Sequence, residues 1–190
     1  MKIVILDRDG VINEDSPDYI KSVAEWHPIP GSLEAIAKLC QAGFRVFVAS
    51  NQSGLGQGLF SYDDFCAMND RMQKLLAELG GRIDGVAFAP DHPDSPTPNR
   101  KPAPGMVLDL ARRLNISAEL IPVVGDSWRD VVAARAARAR PVLVRSGNGR
   151  LTEAEHMTDL RGVAIYDDLA AFAAALIAAQ QALPHLPQTA

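Results

Sequence analysis

Residues 1–10 read MKIVILDRDG, and the apolar run at residues 3–6 decides the fold class. Four consecutive apolar residues that end at Asp7 are typical of a strand buried on both faces, as in a parallel sheet. Similar short runs then alternate with segments of helical periodicity. Further strands are predicted at residues 44–49, 83–88, 120–124, 141–144 and 163–165, with helices at 32–42, 62–79, 106–114, 128–139 and 169–181.

This alternation predicts an α/β fold, a three-layer Rossmann-like parallel sheet with helices on both faces and no large cap domain. A chain of 190 residues is expected to form a single domain spanning residues 1–190. Residues 8–29 separate the first strand from its helix and are long enough to form a small flap over a site. Residues 183–190 are expected to be a frayed tail.

Composition and charge exclude several classes of protein. Hydrophobic residues make up 47% of the chain and charged residues 22%, which is typical of a folded globular protein and not of a disordered one. The net charge of −4 argues against a strongly basic nucleic-acid module. The first apolar run is too short for a signal peptide or a membrane span. We therefore expect a cytoplasmic monomer with no nucleic-acid or membrane partner and with Cys40 and Cys66 unpaired.

Polar side chains follow four of the predicted strands at the point where each strand ends. Because ligands bind beyond the carboxyl ends of the strands in an open parallel sheet, we expect these side chains to converge. They are Asp7 and Asp9 after the first strand, Ser50 and Asn51 after the second, Lys101 in the loop after the third, and Asp126 and Asp130 after the fourth.

The charges of this group constrain its chemistry. Asp7, Asp9 and Asp126 would repel one another at close range unless a cation neutralised them. Oxygen ligands with no nearby His or Cys favour a hard cation, and Mg²⁺ is the one expected here. Lys101 and the Ser50 hydroxyl would bind an anion beside that cation. Together these groups indicate phosphoryl transfer, in which a carboxylate can act as the nucleophile.

The same residues resemble the motifs of the haloacid-dehalogenase-like (HAD) phosphatase superfamily, in order: DxDG at residues 7–10, a hydroxyl residue at Ser50, a lysine at Lys101, and GDxxxD at residues 125–130. Three longer stretches are similar to the D-glycero-D-manno-heptose 1,7-bisphosphate 7-phosphatase family, over about residues 1–170. They read LDRDGVINEDSPDYI, SNQSGLGQGLF and RKPAPGM. Histidinol-phosphate phosphatases and the phosphatase part of polynucleotide end-processing enzymes have nearly the same core.

The resemblance implies catalytic and metal-binding roles. Asp7 would attack phosphorus in line. Asp9 would protonate the leaving sugar oxygen and then deprotonate the water that cleaves the phosphoenzyme. Mg²⁺ would be held by Asp7, Asp126 and the backbone carbonyl of Asp9.

The resemblance also implies binding roles. Ser50, Asn51 and Lys101 would bind the transferring phosphoryl group. Asp130 would orient Lys101 or metal-bound water, although an aspartate in a first helical turn can serve only the helix dipole. Residues expected to face the rest of the substrate are Asp15, Asp18, Ser53, Arg100 and Ser127.

One departure from the family concerns a zinc loop, in which typical members carry Cys-x-His followed by Cys-x-Cys before the Arg-Lys-Pro motif. The matching positions here are Ala89, Asp91, Thr97 and Asn99. Structural zinc requires four N or S ligands, which His92 alone cannot supply. We therefore expect no zinc, with prolines stiffening the loop instead.

Two functional hypotheses follow. The first is a Mg²⁺-dependent phosphomonoesterase that acts on a small sugar bisphosphate in the synthesis of lipopolysaccharide precursors, as the resemblance implies. Histidinol phosphate, other small phosphometabolites and nucleic-acid 3′-phosphates are alternative substrates, the last disfavoured by the net acidity. The second is a non-catalytic phosphometabolite-binding module, which would need neither Asp7 nor Asp9.

Three further side chains, Trp26, Trp128 and Arg129, have no assigned functional role. Trp26 and Trp128 flank the predicted site and could either line the pocket or only pack. Arg129 begins an arginine series along a predicted helix that is read as a solvated face.

Overall fold

Six strands form the central sheet of this chain, whose structure is a computed structural model describing residues 1–182. The strands are β1 (Lys2–Leu6), β2 (Phe44–Asn51), β3 (Gly85–Ala89), β4 (Pro122–Gly125), β5 (Arg140–Val144) and β6 (Ala164–Tyr166). They pair in the order β3-β2-β1-β4-β5-β6. Every pairing is parallel.

The connections between the strands carry the helices. They are α1 (Ser32–Gln41), α2 (Ser53–Gly56), α3 (Tyr62–Glu78), α4 (Gly105–Arg113), α5 (Trp128–Ala136), α6 (Gly149–Glu155) and α7 (Leu169–Gln181). No cap-sized insertion interrupts the alternation of strands and helices within residues 1–182.

Helices cover both faces of the sheet because successive side chains of a strand point to opposite faces. In β1, Val4 and Leu6 pack with apolar residues of α1, α3 and α7 on one face. Ile3 and Ile5 pack with those of α4 and α5 on the other face. The predicted three-layer α/β fold with a parallel sheet is confirmed.

The position of β1 in the sheet explains where the site forms. Leu6, the last residue of β1, pairs with Val48 of β2 on one side and with Val124 of β4 on the other. The chain therefore leaves β1 in one direction and returns to it from the other, which opens a crevice at the carboxyl ends of these strands.

The sequence does not reveal two of the helices, α2 and α6. Helix α2 is a single turn, too short for an apolar period to show. Helix α6 reads GRLTEAE and buries only Gly149 and Thr152, so that no apolar stripe marks it.

Several element ends differ from those predicted. Ile83 lies outside β3 because the Gln73 side chain binds both main-chain groups of Ile83. Gln73 Nε2 donates to the Ile83 carbonyl over 2.7 Å, and the Ile83 N–H donates to Gln73 Oε1 over 3.1 Å. A 3₁₀ turn at Ala118–Leu120 replaces the predicted start of β4. Helix α5 stops short of residue 139, and Arg138 then adopts a left-handed φ of 58°. Strand β6 is displaced by one residue from the predicted 163–165.

Residues 8–29 are only partly a flap. Val11, Ile12 and Trp26 are fully buried in the core on the α1 side of the sheet. A bridge between Asn13 and Pro28 closes the base of the segment. The outer part, residues 14–25, is the flap proper, and Trp26 packs in the core.

Three other expectations concern features away from the site. Cys40 and Cys66 are both free thiols. Within residues 1–182, no helix has the length and hydrophobicity that crossing a bilayer requires. The predicted frayed tail, residues 183–190, lies outside the described residues.

Candidate active site

A cavity of about 490 Å³ opens at the carboxyl edge of the sheet. The ends of β1, β2 and β4, the flap and the loop after β5 all contribute to its wall. Five of the seven strand-end residues expected to converge line it: Asp7, Asp9, Ser50, Asn51 and Asp126. The other two, Lys101 and Asp130, are buried and do not line it.

Three carboxylates form a group that could hold a metal ion. One oxygen each of Asp7, Asp126 and Asp130 lies within 4.8 Å of the other two, and no other such group of three occurs in the described part of the chain. Asp7 and Asp126 border the cavity, whereas Asp130 lies behind them. Carboxylate oxygens with open space in front of them suit Mg²⁺, which keeps several waters when bound.

Lys101 neutralises part of this acidic group. Its ammonium lies 2.9 Å from Asp7 Oδ2 and 2.6 Å from Asp130 Oδ1, and it donates to the Ala49 carbonyl over 2.9 Å. Burial by itself would lower the pKa of Lys101, but Asp130 and Asp7 outweigh burial and raise that pKa above its usual value. The ammonium is therefore charged at neutral pH.

Asp7 and Asp126 hold their protons more tightly than an ordinary aspartate does. Burial raises the pKa of Asp7 to about 6, against the opposing effect of Lys101. Burial, and then the charges of Asp130 and Asp7, raise the pKa of Asp126 to about 8. A divalent cation between Asp7 and Asp126 would favour both ionised forms, so the residues present fit such an ion.

Asp9 is held in a different environment. Arg8 donates two hydrogen bonds to the Asp9 carboxylate, from Nε to Oδ1 over 3.0 Å and from Nη2 to Oδ2 over 3.1 Å. Asn13 Nδ2 and Gln52 Nε2 donate to the same carboxylate over 2.8 and 2.9 Å. Burial would raise the pKa of Asp9, but the Arg8 charge and these hydrogen bonds lower it below its usual value.

Gln52 is a site residue that the sequence reasoning missed. Its amide nitrogen donates to Asp9 Oδ2 and to Ser50 Oγ, each over 2.9 Å, and its amide oxygen accepts from Arg8 Nη2 over 3.0 Å. Because Ser50 Oγ accepts from Gln52, its own O–H is left to donate into the cavity. The sequence signal that could have identified Gln52 was its position directly after β2, inside the stretch SNQSG.

Two residues predicted to lie around the phosphoryl group, Asn51 and Asp130, contact Lys101. Asn51 Nδ2 donates to the Lys101 carbonyl and Asn51 Oδ1 accepts from the Lys101 N–H, both over 2.9 Å. Asp130 contacts the ammonium and also forms a capping box with Ser127 at the start of α5. The two interpretations of Asp130 are therefore compatible, since one oxygen serves Lys101 and the other serves the helix.

The loop after β5 supplies a further part of the site that the sequence reasoning missed. The Asn148 N–H donates to Asp126 Oδ2 over 2.8 Å, and Ser146 Oγ donates to the Gly10 carbonyl over 2.7 Å. Gly147 has a φ of 53°, and a Cβ there would collide with Asp126 and Gly10. The available signal was the stretch SGNG at a fifth strand end.

The structure brings only some of the predicted substrate-facing residues to the cavity. Asp15, Ser53 and Arg100 line it. Asp18 does not, since it is exposed on the outer surface of the flap, where its carbonyl accepts from Lys21 Nζ. Ser127 does not line it either, because its side chain is buried and bonded to Asp130.

Arg129 corrects another expectation. Although exposed, it lines the cavity beside Arg100 instead of belonging only to a solvated helix face. Burial and the Arg129 charge lower the pKa of Arg100, which shows that the two guanidinium groups share one electrostatic environment. Trp128, in contrast, stacks on His156 at 4.3 Å and is not part of the cavity wall.

Comparison with known proteins agrees with this geometry. Residues 98–172 match the HAD-hydrolase-like family. Over 177 residues, 93% of this chain and 98% of the relative, the chain is 47% identical to D-glycero-β-D-manno-heptose-1,7-bisphosphate 7-phosphatase of Bordetella bronchiseptica. It is 46% identical to the protein of that name from Pseudomonas aeruginosa, over 92% of this chain and 97% of the relative.

The chain belongs to the heptose 1,7-bisphosphate 7-phosphatase family of HAD-like hydrolases. A crystal structure of the D,D-heptose 1,7-bisphosphate phosphatase from B. bronchiseptica, complexed with magnesium and phosphate, superimposes with a TM-score of 0.91 and 47% identity over 96% of this chain and 100% of that one. The predicted family and the enzyme class, phosphoric monoester hydrolase, are confirmed.

Within this family the loop after β3 is where the sequence departs from the zinc pattern. Thr97 Oγ1 donates to Asp91 Oδ2 over 3.0 Å, and the Asn99 N–H donates to Thr97 Oγ1 over 3.2 Å. Ala89 is buried as the last residue of β3. Hydrogen bonds thus link three of the four positions matched to zinc ligands, and Arg100 Nη1 reaches the Asp91 carbonyl over 3.2 Å from the same loop.

Proposed function

We propose that this chain hydrolyses the 7-phosphate of D-glycero-β-D-manno-heptose 1,7-bisphosphate by way of a phosphoenzyme on Asp7. The observation that carries the proposal is the position of the Asp7 carboxylate. It directly follows β1, faces the cavity, and lies 2.9 Å from the Lys101 ammonium and within 4.8 Å of an Asp126 oxygen. The names of the relatives supply the substrate.

Asp7, Asp126 and the Asp9 carbonyl are the groups we propose to hold Mg²⁺. When bound, Mg²⁺ would neutralise the acidic cluster and stabilise charge on the phosphoryl oxygens. The raised pKa values of Asp7 and Asp126 support this assignment because both carboxylates need a counter-charge to ionise in their buried positions.

The first chemical step is transfer of the phosphoryl group to the chain. A carboxylate oxygen of Asp7 attacks phosphorus, the bond from phosphorus to the sugar oxygen breaks, and Asp9 gives its proton to that oxygen. Asp9 must therefore be protonated when the substrate is bound. The negative charge of the phosphate opposes the Arg8 charge and so raises the pKa of Asp9 in the complex.

The second step returns the chain to its starting state. A water molecule attacks phosphorus and gives a proton to Asp9, the bond from phosphorus to Asp7 breaks, and inorganic phosphate leaves. Ser50 donates to a phosphoryl oxygen, and the Lys101 charge beside Asp7 offsets the negative charge of the transferring group, while Asn51 and Asp130 hold Lys101 in place. Positioning and charge neutralisation supply most of the rate enhancement in phosphoryl transfer.

The far wall of the cavity favours a second anionic group on the substrate. Arg100 and Arg129 both line it, and neither has a carboxylate partner among the described residues. A sugar bisphosphate places its second phosphate there. Histidinol phosphate would place a cationic amine near two guanidinium groups, which is unfavourable.

A comparison of kcat/KM tests the proposal. The substrates are the heptose 1,7-bisphosphate, fructose 1,6-bisphosphate and histidinol phosphate, each with Mg²⁺ and with chelator. We expect the heptose to be preferred, and Asp7→Asn to lose activity while Asp109→Asn, a surface control on α4, retains it. A preference for histidinol phosphate, or an active Asp7→Asn variant, would contradict the proposal.

We also propose that this chain needs no zinc in the loop after β3. The purified protein should contain less than about one tenth of an equivalent of zinc, because the loop offers one histidine and no cysteine where structural zinc needs four N or S ligands. Elemental analysis checks this, and stoichiometric zinc would refute it.

A further inference from the structure

We propose that Asn148 is a positioning residue that couples the flap to Asp126, so that closing the flap and binding a divalent cation favour each other. The inference rests on the magnesium site proposed above. It goes beyond that site because it gives the loop after β5 a role in controlling access to the cavity.

Asn148 contacts both partners at once. Its main-chain N–H donates to Asp126 Oδ2 over 2.8 Å, and its side-chain nitrogen lies 3.3 Å from the same oxygen. That side-chain nitrogen also donates to Asp15 Oδ2, in the flap, over 2.9 Å. One amide group therefore lies between a proposed cation ligand and a residue 133 positions earlier in the chain.

The loop that carries Asn148 is itself fixed against the site. Ser146 Oγ bonds to the Gly10 carbonyl, and Gly147 lies so close to Asp126 and Gly10 that no side chain fits. Thr152 Oγ1, one turn into α6, donates to the Asp126 carbonyl over 2.9 Å. A shift of Asp126 would therefore also move Asn148.

The flap, in contrast, has few polar attachments to the rest of the chain, although Ile20 packs in the core. In the described part of the chain, residues 14–25 make two side-chain to side-chain hydrogen bonds to residues outside the segment 8–29. One is Asn148 to Asp15, and the other is Gln57 Nε2 to the Tyr19 hydroxyl, over 2.9 Å. Removing either bond should let the flap open more often.

Coupling through Asn148 has a reciprocal consequence. If a cation that orders Asp126 also orders Asn148, the cation holds the flap closed, and a closed flap tightens cation binding by the same factor. The Gln57 to Tyr19 bond has no contact with Asp126, so it restrains the flap without taking part in this coupling.

Limited proteolysis with Mg²⁺ as the only ligand tests the inference. Lys21 lies in the flap, and trypsin cleavage after it releases a fragment of residues 1–21 that mass spectrometry identifies. We expect saturating Mg²⁺ to slow this cleavage about fivefold in the unaltered chain, the lower end of usual coupling factors. In Asn148→Ala we expect faster cleavage without Mg²⁺ and a Mg²⁺ effect below about twofold.

Two controls separate coupling from simple loosening. Asn148→Ala keeps the main-chain N–H to Asp126, so Mg²⁺ should still raise its melting temperature. Gln57→Ala should be cleaved faster, yet keep the full protection by Mg²⁺. Asp15→Asn, which retains an oxygen acceptor, should preserve that protection better than Asp15→Ala.

The outcomes distinguish failure of the inference from failure of the metal site. If Mg²⁺ raises the melting temperature of the unaltered chain but leaves cleavage unchanged, or if Asn148→Ala keeps the full protection, the coupling is refuted and the metal site stands. If Mg²⁺ has no effect on either measurement, both the coupling and the metal site are refuted.

Discussion

The ammonium of Lys101 lies 2.6 Å from Asp130 Oδ1, while the second oxygen of Asp130 accepts hydrogen bonds from the main chain and side chain of Ser127 at the start of α5. A single buried carboxylate thus fixes both the lysine beside Asp7 and the first turn of a helix. Burial would raise the pKa of Asp130, but Lys101 and then the Ser127 bond lower it, so the carboxylate stays ionised.

Removing this carboxylate should damage stability and activity together. Breaking a buried ion pair costs about 3–5 kcal/mol, so Asp130→Ala should lower the melting temperature by roughly 10 °C. Because Lys101 loses its anchor, kcat should also fall, by about a hundredfold. Thermal denaturation and steady-state kinetics measure the two effects.

The matched control lies in α3, where Asp64 forms the same capping box with Ser61 but contacts no lysine. Asp64→Ala should lower the melting temperature less and leave kcat unchanged. Equal effects of the two substitutions on kcat would show that Asp130 has no role beyond the helix.

The stability of the metal-free protein should fall as pH rises. The pKa values of Asp7 and Asp126 are raised to about 6 and about 8 from 3.8. Between about pH 3.8 and about pH 8 the folded chain therefore binds more protons than the unfolded chain. The free energy of unfolding decreases as the pH rises across that window.

Magnesium should reverse this loss, because the cation competes with protons for the same oxygens. The rise in melting temperature on adding Mg²⁺ should be larger at about pH 8.5 than at about pH 5.5, by at least a few degrees. Asp126→Asn should remove most of the difference. A Mg²⁺ effect that is equal at the two pH values, or larger in acid, would contradict this expectation.

Arg129 should affect binding of the second phosphate. Loss of a guanidinium that contacts a phosphate costs a few kcal/mol at most, so Arg129→Ala should raise KM for the bisphosphate about tenfold. Hydrolysis of a monophosphate such as p-nitrophenyl phosphate should change little. Comparing KM and kcat for the two substrates checks this.

Arg135 provides the control on the same helix. Its guanidinium donates to the Asp159 carbonyl over 2.7 Å, away from the cavity. Arg135→Ala should leave both KM values unchanged. If Arg129→Ala weakens both substrates equally, Arg129 does not discriminate between them.

Gln52 should affect the rate more than substrate binding. Its amide group holds Asp9 and Ser50 in fixed positions, and loss of such a supporting group typically costs about 10–100-fold in activity. We expect Gln52→Ala to lower kcat within that range with a smaller change in KM. Gln73→Ala removes a comparably bonded glutamine that holds Ile83, and it should lower the melting temperature but not kcat.

The sequence by itself determined the fold class and the centre of the site. Runs of apolar residues mark the strands, and in a parallel sheet the residues that follow each strand must lie at one edge. Asp7, Ser50, Lys101 and Asp126 could therefore be placed together from their positions in the chain alone.

The tertiary structure decided what surrounds that centre. Whether Arg129 faces solvent or the cavity, whether Trp26 packs or lines the pocket, and whether Asp18 lines the cavity all depend on how loops and helices pack, which local sequence does not encode. The contact between Asp15 and Asn148 joins residues 133 positions apart. No periodicity or motif spans such a distance, because that contact forms only when the sheet has brought the two loops together.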